Sequence, residues 1–442
     1  MHNSLTIFTS AKTERLLYVL DWIFTECLQI NYTIKSDPAT DDDREAIAIG
    51  YGVVIPGGIN IPSSGLIEES GIRTQDIAPG SWENIPTLYA ADAEQNEYTI
   101  PFDIFSAVFF LVSRYEEYYH YTPDKHGRYP ATESILYKNK WLERPLVDEW
   151  LFAFRHLLEK KFHLQVALFK FSYLPTYDID IAWSYKHKGG LRNAGGLVKN
   201  LLSLQPAIAA ERLQVLSGVH TDPFDSFSFL KNLHTLHHYK PIYFILAALS
   251  TGQFDKNIHP MHPAMQDLIK SLAEEGDIGM HPSYETGNSA ERFRNEKHVL
   301  QDISGKSIHI SRQHYVKMVL PATYRNLLAY GINTDYSMGY GTKLGFRAGT
   351  GRSFLWYDLE NEKLTGLRVY PFCFMDSTAH YENSLHASFA FDTLRQMAER
   401  LKDAGSLLIT VFHNFSLGTD KEWSGWAVQY ERFLADMAEA IS

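Results

Sequence analysis

Cysteine is almost absent from this chain. Cys27 and Cys373 are its 2 cysteines, too few and too distant for a disulfide framework, a redox pair or a thiolate metal site. Both read as buried thiols. No apolar run approaches the roughly 18 uncharged residues that a membrane-spanning helix needs, and the candidate at residues 17–30 is broken by Asp21 and Glu26. Residues 1–12 lack the basic stretch and apolar core of a secretory leader. Positive charge is in short supply too: 41 Lys and Arg stand against 52 Asp and Glu, a formal charge of -11. That balance speaks against a nucleic-acid footprint, and against adhesion to an anionic membrane except through a local patch. Internal repeats and low-complexity linkers are missing as well. The expectation is a soluble, cytoplasmic protein that neither binds nucleic acid nor inserts into a membrane.

What is present is core material, with 45% of residues hydrophobic and 14% aromatic. At 442 residues the chain exceeds one ordinary core, which predicts two domains, residues 1–165 and 166–442. The first opens with an apolar run at 5–8, a helical pattern through Val19 and Ile23, and alternation at 30–34, the start of a small α/β unit. Gly and Pro punctuate residues 53–66. A helix is expected over 102–119, with an apolar face at Phe105, Phe109 and Val112, and a closing helix over 147–162. The run Arg114-Tyr115-Glu116-Glu117-Tyr118 and the later Asp124-Lys125-His126-Gly127-Arg128 read as a salt-bridged helix end and loop, or else as a binding surface.

From Val166 the pattern becomes recurrent strand and helix. Candidate strands at 168–173, 242–247, 277–281, 307–311, 332–334, 367–372 and 407–412 alternate with amphipathic helices or long loops. That rhythm predicts a deformed (β/α)7-type barrel preceded by the smaller α/β N-terminal domain. Such a barrel gathers side chains from many strand ends into one cup. The glycine-rich stretch 339–351 lacks the terminal Gly-Lys-Ser/Thr of a phosphate-binding loop and does not open directly onto a helix. Its Arg347, with Phe354, Trp356 and Tyr357 beyond it, reads as the wall of a polar cleft or as core.

The chemistry concentrates at strand ends. Thr176-Tyr177-Asp178-Ile179-Asp180 places two carboxylates at a strand mouth, and residues i and i+2 of a strand share one face. Asp178 and Asp180 can therefore converge on a metal ion, a water or a substrate; a solvated turn or helix cap is the plainer alternative. Polar residues follow the other strands: His281, Arg312, His314, Asp335, Asp376 and His413. Each alone is more often structural than functional. Their recurrence at successive strand ends points to a shared site.

At these positions the chain resembles the polysaccharide deacetylase superfamily, the NodB-homology domains of carbohydrate esterase family 4, and within it a bacterial branch with an extra N-terminal domain. The segment TYDID resembles the family's acidic motif, which implies Asp178 as catalytic base and Asp180 as metal ligand. IGMHPSYE resembles the histidine motif and implies His281 as a further ligand. SRQHY resembles the arginine motif, with Arg312 orienting the base, and LLITVFH places His413 on the catalytic histidine. The likeness extends to RYEEY and DKHGRYP in the N-terminal part.

Two positions depart from the family. Its second metal histidine falls on Glu285, and the proline of its arginine motif is replaced by His314. Carboxylate and imidazole both suit zinc. Because a turn at Pro282 is expected to carry Glu285 away, His314 is preferred over Glu285 as third ligand. Asp335 and Asp376 are candidates for holding Arg312 or His413 in place.

The resemblance implies a hydrolase, dependent on a divalent metal such as zinc, that removes an acetyl group from an N-acetylated glycan. Two rivals remain open. A glycan-binding relative without catalysis suits the altered metal triad, and a glycosyltransferase would use the D-x-D pair on a nucleotide sugar. The latter leaves His281 and His413 unexplained and finds no nucleotide-binding fingerprint.

Overall fold

The computed structural model describes residues 5–36, 47–92, 97–167 and 170–441. Its architecture is α/β: a small N-terminal sheet region, then a curled nine-stranded half-barrel. In the first sheet, β1 (Leu5–Phe8), β2 (Tyr32–Lys35), β3 (Ile47–Tyr51) and β4 (Ile59–Ile61) run parallel in the order β2-β1-β3-β4. The central β1 and β3 are buried at every residue, as their apolar sequences require, whereas the edge strand β2 alternates half-buried with exposed. An antiparallel ribbon of β5 (Gly80–Trp82) and β6 (Ile85–Thr87) follows.

Helix Ile104–Val112 runs through the interior with all its residues buried, capped by Asp103, whose Oδ1 accepts from Ser106 N at 2.9 Å. The expected helix over 102–119 thus stops at Val112. Arg114 turns into the left-handed region at φ 57, and a 3-10 turn covers Tyr115–Tyr118. The turn lets Arg114 donate to Glu117 at 2.8 Å and to Glu116 at 2.9 Å, all three side chains being buried. Helix Leu146–Phe162 closes this part of the chain.

The larger sheet contains β7 (Ser172–Ile179), β8 (Ile242–Ile245), β9 (Asp277–Met280), β10 (Ile310–Ser311), β11 (Thr334–Asp335), β12 (Phe354–Asp358), β13 (Lys363–Val369), β14 (Phe374–Met375) and β15 (Leu407–His413). Their order is β12-β13-β11-β10-β9-β8-β7-β15-β14. Pairing is parallel throughout except for the β12–β13 hairpin. Each of the seven expected strands has a counterpart, and β12 and β14 are additional. The first expected strand, 168–173, is displaced: residues 168 and 169 lie outside the described residues, and β7 continues through Asp178. Pairing with β15 over Ser172–Asp178 and with β8 over Thr176–Ile179 supplies backbone partners on both sides, which outweighs the polar composition of its second half.

One buried apolar cluster runs through both parts of the chain. Across it, Arg347 donates to both carboxylate oxygens of Glu117 at 2.8 and 2.7 Å, completing an ion network with Arg114. Arg347 is therefore no cleft wall, and Phe354, Trp356 and Tyr357 are core. Gly345 shows how closely the segments meet. At φ +126, a Cβ there would lie 2.4 Å from the carbonyl oxygen of Leu142. No helix among the described residues is long and apolar enough to cross a membrane.

Candidate active site

Parallel strands deliver their C-terminal ends to one rim. Asp178 is in the last turn of pleat of β7 and Asp180 lies just beyond it; His281 follows β9, Arg312 and His314 follow β10, Asp376 follows β14, and His413 ends β15. The six residues proposed from sequence, Asp178, Asp180, His281, Arg312, His314 and His413, come together there. All but Arg312 line one cleft of about 250 Å³, and Arg312 lies buried against Asp178.

Asp180, His281 and His314 each offer a ligand atom within 4.8 Å of the other two. His281 Nε2 is 3.1 Å from Asp180 Oδ1, and His314 Nε2 is 3.4 Å from Asp180 Oδ2. Yet Asp180 Oδ1 is buried without a hydrogen bond. A buried carboxylate oxygen close to an imidazole nitrogen but unbonded to it suits a shared cation better than a direct pair. The two histidines are also set in the right tautomer. His281 Nδ1 lies 2.7 Å from the carbonyl oxygen of Arg312, which can only accept, so Nδ1 carries the proton and Nε2 is left for a ligand. His314 Nδ1 is held likewise by Asp255 Oδ1 at 3.0 Å.

Asp255 is the residue that sequence reading missed. It sits in the loop after β8, in TGQFDKN, where no periodicity marks it, and it also accepts from the backbone N–H of Tyr284 at 3.0 Å. Only its place in a strand-exit loop could have drawn notice. Glu285, the alternative third ligand, is exposed in the loop after β9 and lies outside the triad.

Electrostatics reflect this crowding. Burial pushes the Asp180 carboxyl up, but His314 and His281 outweigh it and hold the group well below the usual carboxylate range. Burial opposes charge on His314 as well, and Asp180 and Asp255 override it, raising the imidazole to about 9. His413 follows the same logic. Its burial disfavours the cation, but Asp376 first and Asp180 with it lift it well above the ordinary imidazole range. Asp376 Oδ1 lies 2.6 Å from His413 Nδ1, while Oδ2 accepts from the His413 backbone N–H at 2.7 Å and from the Ser416 hydroxyl. His413 Nε2 is left facing the triad, 3.5 Å from Asp180 Oδ2.

Arg312 is fixed on every side. It donates to Asp178 Oδ1 at 2.8 Å, Thr176 Oγ1 at 2.8 Å and the carbonyl oxygen of Tyr336 at 3.0 Å, with its guanidinium 4.2 Å from the Phe244 ring centre. Asp335 does not hydrogen-bond to Arg312 or His413. It accepts instead from Ser337 N, Ser337 Oγ and Tyr324 OH, and Ser337 Oγ accepts from Gln313 N, so that it steadies the chain next to Arg312.

The N-terminal part supplies one wall. His126 and Arg128 line the cleft, and Arg128 donates to Asp124 at 2.7 Å and to the carbonyl oxygen of Tyr315 at 2.5 Å. Tyr315 and Val316 stand at φ 59 and 52, an unfavourable region, above all for a β-branched residue. The sequence predicts a salt-bridged helix end and loop, or a binding surface, for this segment. It is a salt-bridged turn whose side chains also face the cleft.

Residues 5–163 match a family of unknown function, DUF7033. A comparison with curated protein sequences finds no match. Among solved structures the chain is similar to an inferred polysaccharide deacetylase from Mycobacterium smegmatis, at 12% identity over 62% of this chain and 85% of that one, with a TM-score of 0.39. It is similar to the polysaccharide deacetylase Bc1974 from Bacillus cereus at 14% identity, covering 60% and 87% with a TM-score of 0.29. The allantoinase Puue is matched at 10% identity over 62% and 90%, with a TM-score of 0.38.

Proposed function

We propose that the chain is a metal-dependent hydrolase that removes the acetyl group from an N-acetylated sugar or polysaccharide, with residues 166–442 as its catalytic domain and 1–165 as an accessory domain. The observation that carries this reading is the position of two oriented groups, Asp178 held by Arg312 and His413 held by Asp376, around the Asp180–His281–His314 triad. Asp180, His281 and His314 would hold a divalent ion, zinc by the chemistry of the donors, which would supply Lewis acidity for the acetyl carbonyl and for water.

The remaining work belongs to the side chains. Asp178 takes a proton from the attacking water while Arg312 keeps its carboxylate oriented and charge-balanced. His413, with Nδ1 committed to Asp376, presents Nε2–H to the sugar nitrogen and gives it a proton as the C–N bond breaks. Acetate and a free amino sugar leave. His281 and His314 keep Nε2 toward the triad because Arg312 O and Asp255 occupy Nδ1.

The test is an assay of zinc-loaded protein on a panel of N-acetylated oligosaccharides with acetate and amine both measured. The expected result is equal release of the two. Binding across the panel without release would replace the hydrolase with a glycan-binding protein.

A further inference from the structure

Between β7 and β8 the chain forms a helical hairpin, Gly190–Leu202 and Pro206–Leu216, that is built inside out. Its seam is polar. Arg212 donates to Asn193 Oδ1 at 3.0 Å and Asn200 Oδ1 at 3.5 Å, and its guanidinium lies 4.5 Å from the Tyr185 ring centre. Gly196 admits that guanidinium, since a Cβ there would stand 2.7 Å from it. The leucines face outward: Leu191 is 93% exposed, Leu202 80% and Leu204 88%. Leu191, Val198 and Leu202 recur at spacings of seven and four, one stripe of the helix. Leu213 and Leu216 expose more apolar surface on the second helix. Water alone would favour the reverse arrangement.

Charge selects what covers this face. Residues 181–216 carry Lys186, Lys188, Arg192, Lys199 and Arg212 against one acid, Glu211, in a chain whose net charge is -11. A second copy docked face to face would set these cations against their own kind. An anionic lipid surface satisfies both features, taking the leucines into its acyl boundary and the cations at its phosphates.

We propose that this hairpin docks the protein on an anionic membrane surface, with Leu191, Val198, Leu202 and Leu204 inserted and Arg192 and Lys199 at the headgroups. The contact is peripheral. It is independent of the proposed hydrolase activity.

The experiment is co-sedimentation of the full chain with vesicles of phosphatidylcholine alone and of phosphatidylcholine mixed with phosphatidylglycerol. The chain is expected to pellet with the mixed vesicles, less so at high salt. Leu191→Ser with Leu202→Ser should weaken binding by at least about tenfold, and Arg192→Glu with Lys199→Glu should abolish the preference for phosphatidylglycerol. Unchanged circular dichroism and melting of both variants verify the fold. The proposal is overturned if the unaltered chain stays in the supernatant, if it binds both vesicle types equally, or if light scattering shows a dimer that the leucine variant separates.

Discussion

Arg312 Nη1 donates to Asp178 Oδ1 at 2.8 Å, and both side chains are buried, Asp178 lining the cleft and Arg312 behind it. Removing one partner of such a pair leaves the other charged and desolvated, a loss of about 3–5 kcal/mol. Arg312→Ala should therefore lower the unfolding free energy by about 3 kcal/mol or more in denaturant titrations. A change below about 1 kcal/mol, the range of surface pairs, would mean that the pair is solvated.

The metal triad makes its own demand. Isothermal titration with zinc should show binding nearly abolished in His314→Ala and little altered in Glu285→Ala. Asp255→Asn should weaken affinity by about 10–100-fold, since it loosens the tautomer of His314 without removing a ligand. The opposite ranking of His314 and Glu285 would assign the third position to the carboxylate.

Much of this site was legible because strand ends are marked twice, by an apolar run and by the polar residue that stops it. Asp178, His281 and His413 each follow such a run. Asp255 follows none, being placed by loop folding, and the contribution of His126 and Arg128 depends on packing between segments distant in sequence. The fold shows the same division. β1 and β3 announce themselves by continuous apolar sequence, whereas β14 has two residues and exists through its pairing with β15. The sequence pattern carries the helix on to 119, past its end at Val112, because the Arg114 turn is set by Glu116 and Glu117, partners that no periodicity reveals.

Glu296 offers a pH test away from the triad. Its carboxylate accepts from Ser283 N and Oγ, and burial pushes it up to about 7 from 4.5. The folded chain then binds more protons than the unfolded one between these values, so the associated stability is present below the unfolded value and is lost as pH rises through about 7. Relative to Glu296→Gln, the unaltered protein should lose of order 3 kcal/mol between about pH 4 and pH 8. A pH-independent difference in paired denaturant titrations would contradict the assignment.

Arg128 ties the N-terminal part to the strained Tyr315 peptide beside His314. Arg128→Ala is expected to weaken zinc binding by about tenfold through a loosened His314, while Arg128→Lys restores part of it. Unchanged affinity in both variants would leave this wall no influence on the metal centre.

The most direct test of the account compares zinc titration and acetate release in Asp178→Asn. Asparagine keeps the size of the side chain but takes no proton, so turnover should fall by about two to four orders of magnitude while zinc still binds through Asp180, His281 and His314. Full acetate release by this variant would contradict the assignment of Asp178 as the base.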